Sequence, residues 1–197
     1  MTNTVVGLLR HGQTDWNIDF RLQGIADIPL NATGVAQAEV AGLLIDGDDW
    51  DVLLTSPLSR AKATAEIVAK SAGFDLIHTE PLLLERSFGE AEGLLYEEWK
   101  AKYEDTNLVP GAETLEELEA RALLLLEKLA ADFSGQRVLT VSHGALIRKL
   151  IRIVSNKTLP REGERLGNAS LSVLVHSEGV WSIADYAPAT LQASDNS

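Results

Sequence analysis

The apolar residues of this chain follow two periods. Val5 to Leu9, Asp51-Val52-Leu53-Leu54-Thr55 and Arg137 to Ser142 are short runs without alternation, which predicts strands buried on both faces. Each run ends at polar or glycine-bearing residues: Arg10-His11-Gly12, Ser56-Pro57 and His143-Gly144. Between the runs, apolar positions recur at helical spacing. Ala36, Val40, Leu43 and Leu44 predict one helix, capped by Thr33 and stopped near Gly47. Ala61, Ala65 and Val68 predict a second, with Ser56 as its cap, Pro57 at its first position and Gly73 as its stop. Arg60 then falls in the first turn of that helix.

The remaining pattern completes an alternating series. Phe74 to Thr79 alternates like a strand, and Pro81 to Arg86 leads from it into a segment ending near Gly93. Tyr96 to Tyr103 reads as helical. Thr114 and Glu117 form a capping-box pattern ahead of Leu115, Leu118, Ala122, Leu125, Leu126 and Leu129, which predicts a helix over Leu115 to Ala131 with one solvated face. A further helix spans about Ala145 to Val154. Ser170 to Val175 and Val180 to Tyr186 alternate on either side of Glu178-Gly179, as a hairpin at the sheet edge would. Buried strands alternating with helices predict an α/β fold, a three-layer sandwich whose mainly parallel central sheet is flanked by helices. One domain over residues 1–188 is expected, with Ala189 to Ser197 as a frayed tail.

Composition narrows the chemistry. The 197 residues are 45% apolar and 23% charged, as in ordinary globular domains. Acidic residues number 29 against 17 basic, a net charge of −12, and a field of that sign repels a nucleic-acid backbone. No nucleic-acid partner is expected. Without cysteine there is no disulfide, thiolate nucleophile or thiolate metal site, so histidine, serine and carboxylates must carry any reaction. Met1 to Thr4 hold no Lys or Arg and the apolar run after them is short, which fits neither a secretory signal nor a membrane span and predicts a cytoplasmic protein.

In open α/β sheets, ligands bind beyond the carboxyl ends of the strands. Arg10-His11, Ser56 to Arg60 and Ser142-His143 all follow strands, and Glu85 follows a fourth. Two histidines, two arginines and a carboxylate thus converge on one pocket, whereas His78 and His176 read as structural. Such a set suits phosphoryl transfer. A neutral imidazole attacks phosphorus in line, guanidinium groups bind the equatorial oxygens, and a protonated glutamate supplies the leaving alkoxide with a proton. Four widely spaced histidines form no metal-ligand pattern, so neither a metal nor a cofactor is expected.

Leu9-Arg10-His11-Gly12-Gln13-Thr14-Asp15-Trp16-Asn17 resembles the RHG signature of the histidine phosphatase superfamily, which includes cofactor-dependent phosphoglycerate mutases. The resemblance runs from Val5 to about Tyr186. It takes in Arg21-Leu22-Gln23-Gly24, Thr55-Ser56-Pro57-Leu58-Ser59-Arg60-Ala61, Glu85-Arg86, Pro110-Gly111-Ala112-Glu113-Thr114 and Val141-Ser142-His143-Gly144, in the family's order. It implies a phosphoglycerate mutase-like fold. His11 would be the nucleophile that becomes phosphohistidine, and Arg10, Arg60 and His143 would form the phosphate pocket with Asn17 and the Gly144 backbone. Glu85 would be the proton donor, and Gln23 and Gly24 would contact substrate. Ile25 and Ala91 depart from residues frequent in relatives, an aromatic and a tryptophan, which affects substrate preference rather than chemistry.

The expected function is hydrolysis of a small phosphorylated metabolite. A phosphoglycerate mutase is the nearest alternative, since it uses the same residues but returns the phosphoryl group to a second hydroxyl. Gln23-Gly24 resembles the phosphatase branches, and mutases tend to carry a longer insertion between Glu85 and His143. A non-catalytic module that docks phosphorylated ligands is a further alternative. Monomer and homodimer are both open.

Overall fold

A computed structural model describes residues 3–187, so the expected tail from Ala189 lies outside the described residues. The three unbroken apolar runs form β1 (Thr4–Arg10), β2 (Val52–Thr55) and β4 (Arg137–Ser142), and β3 (Ile77–Thr79) is shorter than its alternation predicted. All join one six-stranded sheet of order β3-β2-β4-β1-β5-β6, completed by β5 (Leu171–Ser177) and β6 (Val180–Asp185). β1, β2, β3 and β4 are mutually parallel, whereas β5 and β6 run antiparallel as the edge hairpin. Glu178 and Gly179 turn that hairpin with positive φ, at 50° and 81°, as a two-residue turn between twisted strands requires.

Period-two alternation splits the strands between two cores. Val6, Leu8, Leu54 and Val138 face α5 (Leu115–Asp132) and α6 (Gly144–Val154). Leu9, Leu53, Leu139 and Val141 face α2 (Ala32–Leu44) and α3 (Ser59–Ala72). The fold is therefore the expected α/β sandwich. The short helices α1 (Asp15–Ile18) and α4 (Tyr96–Lys102) lie on loops at the carboxyl end of the sheet. α5 begins with the capping box read from sequence: Thr114 Oγ1 accepts from Glu117 N at 3.1 Å, and Glu117 Oε2 accepts from Thr114 N at 2.8 Å. Among the described residues, no helix is long and apolar enough to cross a membrane.

Two helices depart from their predicted details. α2 starts at Ala32 under Asn31, whose side chain accepts from Gly34 N at 2.8 Å, rather than under Thr33. Its buried face is Gly34, Ala38, Ala41 and Gly42, while Val40, Leu43 and Leu44 are 52%, 80% and 64% exposed. Size decided this outcome. A Cβ on Gly42 would stand 2.9 Å from Ser71 Cβ, so α2 lies too close to α3 for large side chains between them. α3 starts at Ser59, and its cap position is Leu58, which makes no side-chain cap bond. Ser56 was expected to cap that helix and instead serves the site described next.

Candidate active site

β1, β4 and β2 are adjacent, and their carboxyl ends deliver Arg10, His143 and Ser56 to one place. Backbone pairing continues past the strands and fixes it: His11 N donates to Ser142 O at 3.0 Å, while Ala169 N donates to both Arg10 O and His11 O. Asn168 Nδ2 adds bonds to His11 O and Asn17 Oδ1, each at 3.1 Å. Gly12 N donates to Thr64 Oγ1 at 3.1 Å. A Cβ on Gly12 would run into the Gly34 carbonyl, and one on Gly34 into the backbone of Gln13. The loop after His11 can sit against α2 only because both positions lack side chains.

His11 and His143 are buried, with ring centroids 5.1 Å apart. His11 Nδ1 is 2.7 Å from Gly12 O. A carbonyl only accepts, so Nδ1 carries the proton and Nε2 keeps a free lone pair. Burial first, then the charges of Arg10 and Arg60, hold the His11 pKa well below its ordinary 6.5, and the bond to Gly12 opposes them only in part. The nucleophilic neutral form is therefore the resting form. His143 is likewise held well below 6.5, by burial first and then by His11, Arg60 and Arg10. Its Nε2 lies 2.7 Å from Ser56 Oγ, and its Nδ1 is buried without a partner among the described residues.

Arg10 and Arg60 complete the floor. Arg10 donates from Nη1 to Leu166 O, and Arg60 donates to Ala26 O and Gly24 O, both at 2.8 Å. Each leaves a buried Nε without a partner among the described residues. Burial lowers both pKa values, and Glu85 is the largest opposing charge on both, which places that carboxylate among them. Glu85 Oε1 accepts from Arg86 N at 2.9 Å and Leu146 N at 3.1 Å, and Oε2 accepts from Ala145 N at 3.0 Å. The carboxyl group thus sits on the first turn of α6, beside His143 and Gly144.

Asn17 closes the capping box of α1 and faces the same opening as Arg10 and Gly144. Gly24 takes φ of 53°, which its lack of a side chain allows. Gln23 is buried, and its Oε1 has no partner among the described residues. Arg10, Asn17 and Gly144 line one opening, and the other six expected residues, His11, Gln23, Gly24, Arg60, Glu85 and His143, lie on the segments that follow β1, β2, β3 and β4. Sequence reading missed four more. Ser56 holds His143. Asn168 ties His11 to Asn17. Glu92 accepts from Ile25 N, Ala26 N and Phe88 N at 2.8–3.0 Å and so fixes the Gly24 loop. Arg121, ion-paired with Glu113 at 2.7 Å, donates to the carbonyls of Leu82, Leu84 and Glu85. No local pattern marks Asn168 or Glu92, whereas Ser56 stands inside a block already singled out, as does Glu113, the partner of Arg121.

The opening above this floor is a cleft of about 1110 Å³ whose walls include Trp16, Phe20, Arg21, Tyr96, Arg148 and Arg165. Residues 6–187 match the histidine phosphatase superfamily, branch 1. The chain belongs to that superfamily. Among its histidine phosphatase relatives, the uncharacterised phosphatase PhoE of Bacillus subtilis is 42% identical over 183 residues, covering 93% of this chain and 94% of PhoE. A 2,3-bisphosphoglycerate-dependent phosphoglycerate mutase of Methylobacterium radiotolerans is 35% identical over 167 residues, covering 77% of this chain and 79% of the mutase. The crystal structure of a phosphoserine phosphatase mutant from Entamoeba histolytica, in complex with phosphoserine, superposes with a TM-score of 0.79 at 26% identity. It covers 92% of this chain and 95% of that one.

Proposed function

We propose that this histidine phosphatase hydrolyses phosphate monoesters of small metabolites through a phosphohistidine on His11, without a metal. The observation that carries the reading is the paired state of the histidines: His11 neutral with Nε2 free, beside cations whose buried Nε groups lack partners among the described residues. Nε2 attacks phosphorus as the ester C–O–P bond breaks at the phosphorus–oxygen link. Arg10, Arg60 and the Nδ1–H of His143 take the equatorial oxygens, with Asn17 and Gly144 N completing the pocket. Arginines then carry the charge that a divalent cation would otherwise neutralise.

Glu85 delivers the proton to the departing alkoxide. Its Oε2 accepts one backbone N–H against two on Oε1, so Oε2 is the oxygen with capacity to hold and pass a proton. In the second half, Glu85 accepts a proton from water as that water attacks the phosphohistidine, and phosphate leaves His11 neutral again. Gln23 and Gly24 contact the ester's carbon side. The phosphoserine-bound relative supports a small phosphorylated metabolite as substrate.

The test is turnover with trapping. Phosphate release from p-nitrophenyl phosphate, an acid-labile and alkali-stable phosphate on His11, full activity in EDTA and inhibition by vanadate are expected. Interconversion of 2- and 3-phosphoglycerate faster than phosphate release, dependent on bisphosphoglycerate, would identify a mutase instead. Ligand binding without any phosphate release would identify a docking module.

A further inference from the structure

The cleft contains more positive charge than transfer of one phosphoryl group uses. Beyond Arg10, its walls bring in Arg21, Arg148 and Arg165. Arg21 is engaged, by Asp19 at 3.5 Å and the Gly93 carbonyl at 2.7 Å. Among the described residues, Arg148 and Arg165 have no carboxylate within salt-bridge distance. Three acidic residues share the cleft, and none neutralises this pair. Asp19 belongs to Arg21, the Glu164 carboxylate pairs with the Arg161 guanidinium at 3.4 Å and accepts from Arg161 N and Tyr186 Oη, each at 2.8 Å, and Glu97 pairs with neither.

We propose that Arg148 and Arg165 form a distal subsite for a second anionic group on the substrate, a carboxylate or a further phosphate. This rests on the hydrolase reading above and names its substrate class. Position supports it first. Arg148 lies four residues after Gly144 on α6, so the two share a helix face, with Arg148 about one turn or roughly 6 Å farther along the axis. Gly144 borders Arg10 at the phosphate pocket, where a Cβ would stand 3.4 Å from Arg10 Nε. A three-carbon ester spans a comparable separation between its phosphate and a terminal carboxylate.

Preorganisation supports it next. Arg148 donates to the Glu164 carbonyl, on the same segment as Arg165, so one hydrogen bond brings both guanidinium groups to one wall. Arg165 stands over the ring of Phe20, 6.0 Å from its centroid. Phe20 is 66% exposed and takes φ of 55°, a conformation that an aromatic residue adopts at a cost. The strained residue presents its ring to the cleft rather than to a core. Repulsion points the same way: Arg148 is among the cations that depress the Arg10 pKa, and an anion between them would relieve that repulsion.

The experiment compares kcat/KM for 3-phosphoglycerate and phosphoserine, for fructose 1,6-bisphosphate, and for glycerol 3-phosphate, whose far end is neutral. Wild type, R148Q, R165Q, the double variant and K70Q are used, the last removing an equal charge from the exposed end of α3. The wild type should prefer the doubly anionic esters over glycerol 3-phosphate. Each single cleft variant should lower that preference about tenfold, mainly through KM, as loss of a charge-assisted hydrogen bond does. Salt raised from about 0.05 to about 0.5 M should erode it, and K70Q should retain it. A preference confined to the carboxylates or to the bisphosphate identifies the anion. No wild-type preference, or one that survives in the double variant, would overturn the proposal. If no ester is hydrolysed, the hydrolase reading fails by itself. Calorimetry then decides the subsite: the double variant should weaken 3-phosphoglycerate binding but not inorganic phosphate binding, and any other result rejects it.

Discussion

His11 and His143 stand 5.1 Å apart on backbone held from two strands, both buried, whereas Phe20 and Arg165 at the mouth of the same site are exposed and lean on each other. The floor is enclosed by protein, so charges act there at short range and with less screening than in water. The mouth is open, and its charges act through screened solvent. A floor that meets only the phosphate can be indifferent to which alcohol leaves, because every phosphate ester presents it with the same group. Selection among esters then falls to residues that touch only the part that differs.

The largest effect should come from the floor. His11→Ala should reduce turnover by on the order of 10⁴ or more on every ester alike, measured by phosphate release, and retention of most activity on any one ester would break the mechanism. Glu85→Gln should cost roughly 10² to 10⁴ on alkyl esters and less on aryl esters, whose phenolate leaves without a proton. Equal losses on both would remove Glu85 from the acid role. Both substitutions should be blind to the far end of the substrate.

A pH series sharpens the contrast through stability. His11 and His143 have folded pKa values below the unfolded 6.5, so as pH falls the unfolded chain binds protons that the folded one refuses. Their contribution is complete above about pH 6.5 and is lost below it, by up to about 1.4 kcal/mol per pH unit for each histidine. Urea unfolding at several pH values should show this slope, and His11→Asn should remove one histidine's share. An unchanged slope would place His11 in water. The smallest effect belongs to the mouth: Trp16→Ala should raise KM a few fold with kcat nearly constant, and a large fall in kcat would mean that the wall also holds the floor.

The floor was the more legible end in the sequence. Arg10, His11 and His143 end unbroken apolar runs bounded by polar residues, and these runs form β1 and β4, so three of the site's corners follow from local pattern. The hairpin and the capping box of α5 are equally local. What escaped depends on distance along the chain. Ser56 looked like a helix cap because Pro57 follows it, but its partner is His143, 87 positions away. Arg121 lies on the helix predicted over Leu115 to Ala131, where a charge among leucines suggests a solvated face. It turned inward to Glu113 and three carbonyls of the Glu85 segment. The buried face of α2 is set by side-chain size against α3 rather than by hydrophobicity, so its apolar periodicity points to the wrong side.

The contact between Gly12 and Gly34 bears on how this protein can vary. A clash with a side chain can be relieved by shortening that side chain, so most crowded positions admit a compensating change elsewhere. Here each missing Cβ would meet main chain, the Gly34 carbonyl on one side and the Gln13 backbone on the other, and main chain is the same whatever residue is encoded. No second substitution can rescue either glycine. Only a change in loop length could, and it would move the Gly12 carbonyl that sets the tautomer of His11. In a library of random variants, these two positions should therefore stay empty of survivors even where the surrounding loop diversifies.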